Sequence, residues 1–100
     1  MSDDVDVQVS QNEDEQRFEA RVDGELAGSA YYETADDLIV FTHTEVDDAY
    51  EGKGVGSALA KGALDAVRAD GRRKVVPRCP FIKGWIDRHP DYRDLLEHAG

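Results

Sequence analysis

At 100 residues the chain has room for one domain around one hydrophobic core, and too little for a second, substrate-holding domain beside it. Its 22 acidic residues against 12 basic ones give a net charge of −10, which disfavours nucleic acid as a partner, because binding a phosphate backbone needs a basic face. Apolar residues make up 40% and are spread along the chain, with no run near the roughly 18 residues of a membrane span, and the single cysteine excludes both an internal disulfide and a multi-cysteine metal site.

These features predict a soluble, cytoplasmic protein with no membrane partner, and the acid excess is that of a chain kept in solution in a high-salt, halophilic cytoplasm. The charge is unevenly distributed. Residues 1 to 51 hold 16 acids and two bases, Arg17 and Arg21, whereas residues 52 to 100 hold six acids and ten bases. A phosphate-bearing ligand would favour the second half and a cationic one the first.

Val5, Val7 and Val9 alternate along a short first strand, and "QNEDEQ" follows as a polar connector of six residues. "RFEARV" alternates Phe18, Ala20 and Val22; Asp23-Gly24 is a hairpin dipeptide, and "ELAGSAYYET" returns as the partner strand. After the turn "ADD", the run from Leu38 to Val46 is apolar on both faces at its start and rich in β-branched residues, as a central strand requires. Val55, Leu59, Ala63, Ala66 and Val67 recur at helical spacing, with Ser57, Lys61, Asp65 and Arg68 on the opposite arc and Gly71 as the stop. Arg73 to Val76 reads as a buried strand ended by Pro77. Phe81, Ile82, Trp85 and Ile86 form the apolar stripe of a closing helix that ends at His89 before Pro90, and a last short turn carries Leu95 and Leu96.

The fold class is therefore α+β, a single domain over residues 1 to 100 with residues 1 to 4 expected to fray. A mixed, mostly antiparallel sheet is followed by a helical crossover that makes the last strand parallel to its predecessor, and by a C-terminal helix.

"EGKGVG", residues 51 to 56, opens the first helix with a glycine at every second position. Such glycines let the backbone approach a ligand closely, and the free N–H groups of a helix start point at an anion. Spacing excludes a P-loop, since Lys53 stands at the wrong end, and a dinucleotide fingerprint, since its last glycine would have to fall on Ser57 or Leu59. The pattern Q/R-x-x-G-x-G/A, placed after a fourth strand, remains, and with it "HTEV", "PRCPF" and "RHPDYRDLL" the chain from about residue 38 to 97 resembles a small, minimal branch of the GCN5-related N-acetyltransferases. It departs at Glu51, where that family has Gln or Arg.

The resemblance implies acetyl-CoA as cosubstrate, its pantetheine arm in a gap between the fourth and fifth strands. It carries the CoA site over onto Glu45 and Val46, onto Glu51, Gly52, Lys53, Gly54, Val55, Gly56 and Ser57 of the loop, and onto Cys79 and Pro80. It also implies backbone N–H groups near Val46 as oxyanion donors and a cysteine near the acetyl group.

From its own neighbours, Cys79 reads as the N-cap of the closing helix, with Pro80 at the first helical position, where helix N–H groups and nearby Arg78 and Lys83 allow a thiolate. Placement alone more often means a buried, inert cysteine at a strand-to-helix junction, and it is the resemblance that turns the reading to a nucleophile. His43 and Glu45 alternate onto one face at the end of the central strand, and His43 is the better candidate base at neutral pH, against the commoner role of an ordinary strand residue with a hydrogen-bond partner. Tyr92 is a candidate to protonate a leaving thiolate, as tyrosines do in larger relatives; the commoner role for such a tyrosine is packing with a satisfied hydroxyl. Phe81 and Trp85, four apart on one stripe, read as core rather than as a stacking site. His43, His89 and Cys79 lack metal-ligand spacing, so no metal is expected.

These residues point to an acetyl-CoA-dependent N-acetyltransferase, acting directly or through an acetyl-cysteine, with catalytic candidates Cys79, His43 and Tyr92. A non-catalytic acyl-CoA-binding or sensor module is the competing reading. The short first connector leaves no room for a substrate-binding wall, which suits a macromolecular amine or a small polyamine drawn by the acidic first half.

Overall fold

The computed structural model describes residues 6–96. Val5 and the four residues expected to fray lie outside that range. The sheet starts from two antiparallel pairings, β1 (Val7–Asn12) on β2 (Arg17–Val22) and β2 on β3 (Glu25–Ala35), and the β2–β3 turn is made by Asp23 and Gly24 with φ of 53° and 83°. Positive φ at both positions is what an Asp-Gly hairpin supplies. β1 runs on to Asn12 and pairs there with Arg17, so the connector has four residues rather than six.

β4 (Leu38–Val46) pairs antiparallel with β3; a 3₁₀ turn (Asp48–Tyr50) and helix α1 (Val55–Asp70) then carry the chain to β5 (Lys74–Pro77), which lies parallel to β4. The resulting order is β1-β2-β3-β4-β5. Pro77 pairs with Phe41 as the last residue of β5, a place open to proline on an edge strand. Helix α2 (Pro80–Arg88) and a 3₁₀ segment (Pro90–Leu95) follow, and Leu96 bridges to the outer edge of β5 at Val75.

One core joins the inner face of the sheet to both helices, with Phe18, Tyr32 and Phe41 in contact below α1 and with Leu59, Leu64, Ile82, Trp85 and Ile86 fully or almost fully buried. Each such large aliphatic side chain contributes about 1.5–3 kcal/mol by leaving water. Phe81 departs from the expected stripe: it is 39% exposed. Among the described residues no helix is long and apolar enough to cross a membrane.

Two irregularities shape the C-terminal half of β4. Tyr31 pairs with His43 and Tyr32 with Phe41, so Thr42 is an extra residue and the alternation of faces resets there. Ile39 and Phe41 face the core; beyond the bulge Thr44 and Val46 take that face, and His43 and Glu45 turn to the open one. Secondly, the pairing of β4 with β5 ends at Phe41–Pro77, leaving residues 42–46 without a strand on that side.

Candidate active site

The glycine loop is held from below by the 3₁₀ turn, whose N-cap Asp47 accepts the N–H of Ala49 at 2.9 Å, and Lys53 N–H donates to Tyr50 O at 3.3 Å. Gly52 and Gly54 have φ of 78° and 80°, a region closed to most side chains. Gly54 is the N-cap of α1; its carbonyl accepts Ala58 N–H at 3.0 Å, no side chain caps the helix, and its first turn carries no acid. The N–H groups of Val55, Gly56 and Ser57 are therefore free to meet an anion. Gly56 answers a different need: a Cβ there would stand 2.9 Å from Cζ of Phe81.

Between the loop, β4 and α2 lies a cleft of about 460 Å³. Thr44 and Val46 form its β4 wall, the loop from Tyr50 to Ser57 contributes a second, and Phe81, Trp85 and Arg88 of α2 close the third. Trp85 Nε1 donates to Ser57 Oγ at 3.0 Å, which ties α2 to the first turn of α1 and leaves the Ser57 proton free to donate. Of the residues assigned from sequence to the CoA site, Val46, Glu51, Gly52, Gly54, Val55, Gly56 and Ser57 line this cleft. Lys53 and Pro80 are exposed outside its lining, and the Glu45 side chain lies on the opposite face of the sheet. Sequence reasoning misses Thr44, Tyr50 and Arg88 and reads Phe81 and Trp85 as core: the bulge in β4 turns Thr44 to this side, and the packing of α2 against the loop brings Phe81, Trp85 and Arg88 there.

Cys79 is the N-cap of α2 and is buried; its N–H donates to Phe41 O at 2.9 Å, where strand pairing ends, and Sγ donates to Thr44 Oγ1 at 3.3 Å. It thus sits behind the cleft wall, with Thr44 between.

On the open face His43 Nε2 stands 3.7 Å from Glu45 Oε1, both well exposed, and the imidazole stacks on Tyr31. Below them Glu19 is buried, accepting from Asn12, Arg17 and Arg21; the Asn12 amide first, then the Arg17 guanidinium, hold its carboxyl below the usual range. A shallow groove of about 390 Å³ runs along this face beside Ser29, Tyr31, Glu45, Asp47 and Asp48.

Tyr92 does not reach the cleft. Its hydroxyl donates to Asp65 at 2.7 Å and its ring packs edge-on to Trp85, and the Asp65 hydrogen bond raises its pKa. His89 stacks on Trp85 at 3.8 Å with Nδ1 2.7 Å from Trp85 O. Among the described residues no three His, Cys, Asp or Glu side chains gather to hold a metal.

The family profile described as GCN5-related N-acetyl-transferase matches residues 17–95, from the start of β2 to the end of the last 3₁₀ segment. The chain belongs to this family. It is 32% identical over 94 residues to protein NATD1 of Gallus gallus, covering 92% of this chain and 84% of that one, and 30% identical over 86 residues to the Homo sapiens protein of the same name, covering 84% and 75%. In fold it is similar to the NMR structure of a GCN5-like protein from Staphylococcus aureus, with a TM-score of 0.67, 25% identity and coverage of 89% and 86%. The ribosomal-protein-alanine N-acetyltransferase of Brucella melitensis shares the fold at a TM-score of 0.56 and 24% identity, over 83% of this chain and 62% of that one.

As a GCN5-related N-acetyltransferase the chain is an acyltransferase of a family that uses acetyl-CoA and acts on amines. Its residues fit such a cosubstrate: an uncapped helix start for phosphates, glycines that keep side chains out of their approach, and an unpaired stretch of β4 to line the arm. The misfit is Glu51, a carboxylate on the cleft wall.

Proposed function

We propose that the chain transfers the acetyl group of acetyl-CoA to an exposed amine, with the phosphates against the start of α1 and the thioester beside residues 42–46 of β4. The observation that carries this is the pairing of an acid-free, uncapped α1 N-terminus with the early end of the β4–β5 ladder. The G-x-G-x-G loop and the Pro77-x-Cys79-Pro80-Phe81 stretch support placing it in the small branch of the family that keeps a cysteine near the acetyl group.

Because β5 stops at Pro77, the gap beside β4 opens to both faces of the sheet. The acyl donor enters from the helix face, and the amine from the open face. There the groove is lined by Glu45, Asp47 and Asp48 against one base, Arg17, which is itself paired with Glu19, and this excess of acid favours a cationic acceptor, a polyamine or an amine on a macromolecule. His43 takes the proton the amine gives up, and backbone N–H groups near Val46 hold the developing oxyanion. Alternatively Cys79, as its thiolate, attacks the thioester carbonyl and displaces CoA; the amine then takes the acetyl group from sulfur. Tyr92, occupied by Asp65 away from the cleft, has no part in either route.

The test is acetylation of a panel of polyamines and lysine peptides, followed by CoA release and product mass. Turnover that falls in His43→Ala supports the proposal, and no acetylation above the uncatalysed rate overturns it. Intact mass after incubation with acetyl-CoA separates the routes: one acetyl group retained by the wild type and absent from Cys79→Ser marks the covalent one, whereas equal behaviour removes Cys79 from the mechanism.

A further inference from the structure

Arg88 closes the α2 side of the cleft and is the one cation among the described residues that line it, as Glu51 is the one anion. Five other arginines, Arg17, Arg21, Arg68, Arg72 and Arg73, each hold a carboxylate within reach. Among the described residues Arg88 has no carboxylate partner and no hydrogen bond to a carbonyl. As the last residue of α2, its default role would be to reach forward over the final helix carbonyls and complement the dipole. Its side chain follows the backward tilt of helical side chains, with Nη1 3.7 Å from where a Cβ on Gly84 would stand, which keeps the guanidinium on the cleft side of the helix rather than over its last carbonyls.

Along α2 the cleft has two ends. Cys79 caps the helix beside Thr44, and Phe81, next to Gly56, is followed two turns later on the same face by Arg88, about 10 Å further along the axis. A ligand with its reactive carbon at the first end and anionic groups beyond the loop would meet Arg88 at the second.

We propose that Arg88 binds a phosphate of CoA as its ion-pair partner, supplying from α2 the positive charge that the loop lacks where Glu51 stands. The inference rests on the reading of this cleft as the CoA site. A guanidinium matches a phosphate bidentately, which sets it apart from the point charge of a lysine. The phosphate is either in the pyrophosphate or at the ribose 3′ position, and truncated ligands tell the two apart.

Titration calorimetry of the full chain, its Arg88→Gln and its Arg88→Lys with CoA, 3′-dephospho-CoA and pantetheine is the test. Arg88→Gln is expected to weaken CoA about tenfold at low salt, with the loss shrinking as salt rises, and Arg88→Lys to recover part of it. Pantetheine, which has no phosphate, is expected to bind all three proteins equally. A loss that persists with 3′-dephospho-CoA assigns the pyrophosphate, and one that disappears assigns the 3′-phosphate; either supports the proposal. If the wild type binds CoA and Arg88→Gln binds it as tightly, the assignment of Arg88 fails while the cleft stands. If the wild type binds no CoA, both fall.

Discussion

The three loop glycines are not equivalent. Gly52 and Gly54 serve backbone geometry, since both sit at positive φ, whereas Gly56 makes room for the Phe81 ring. The alternate spacing that catches the eye in sequence thus merges two requirements. Glu51 is the residue at which this chain departs from the pattern it otherwise follows, and its carboxylate on the cleft wall opposes an anionic ligand. Glu51→Gln is expected to tighten CoA binding two- to tenfold at low ionic strength, roughly the worth of one partly screened charge, with the gain fading at high salt. Unchanged affinity in a calorimetric titration across salt would show that Glu51 does not face the phosphates.

The elements are positioned by close approaches that small residues permit. Gly62 lets α1 lie directly on β1: a Cβ there would come 2.7 Å from Cβ of Val9. Gly62→Leu is therefore expected to destabilise the fold by about 1–3 kcal/mol in urea unfolding, and by less when Val9 is also alanine. An unchanged midpoint would mean that β1 is free to shift. Gly28 plays the same part between β3 and β4, where a Cβ would meet Glu45 O at 2.8 Å. The Thr42 bulge decides which β4 side chains face the cleft: without the extra residue His43 and Glu45 would follow Phe41 toward the core, and Thr44 would be lost to Cys79.

At the scale of the molecule, helices cover one face of the sheet and polar side chains the other. Buried Glu19 and the helix-side carboxylates Asp65 and Asp94 titrate lower in the fold than in the open chain. Asn12 leads for Glu19 and Arg68 for Asp94; for Asp65 partial burial pulls upward, but hydrogen bonds from Lys61 and Tyr92 prevail. A lowered folded pKa contributes stability that is present above the unfolded value and is lost as pH falls through the folded one. The melting temperature should accordingly hold from neutral pH to about 5 and fall steadily below about 4. In Glu19→Gln the acid-side fall should be shallower; a parallel profile would show that this network does not govern acid unfolding.

Much of this protein is settled by local pattern. The alternation of Phe18, Ala20 and Val22, the Asp-Gly turn, the 3.6-residue period of α1 and the Pro77 and Pro80 punctuation specify each element, because periodicity and backbone preference act within a few residues. The order of elements is likewise legible in the sequence and is that of the family's fold. What tertiary structure alone decided lies between elements: the bulge that turns His43 away from Cys79, the exposure of Phe81, the hold of Asp65 on Tyr92, and the arrival of Arg88 at a cleft whose loop lies more than thirty residues earlier. A stripe at helical spacing says which side of a helix is apolar; it does not say where the packed face ends, and there Phe81 and Arg88 stand.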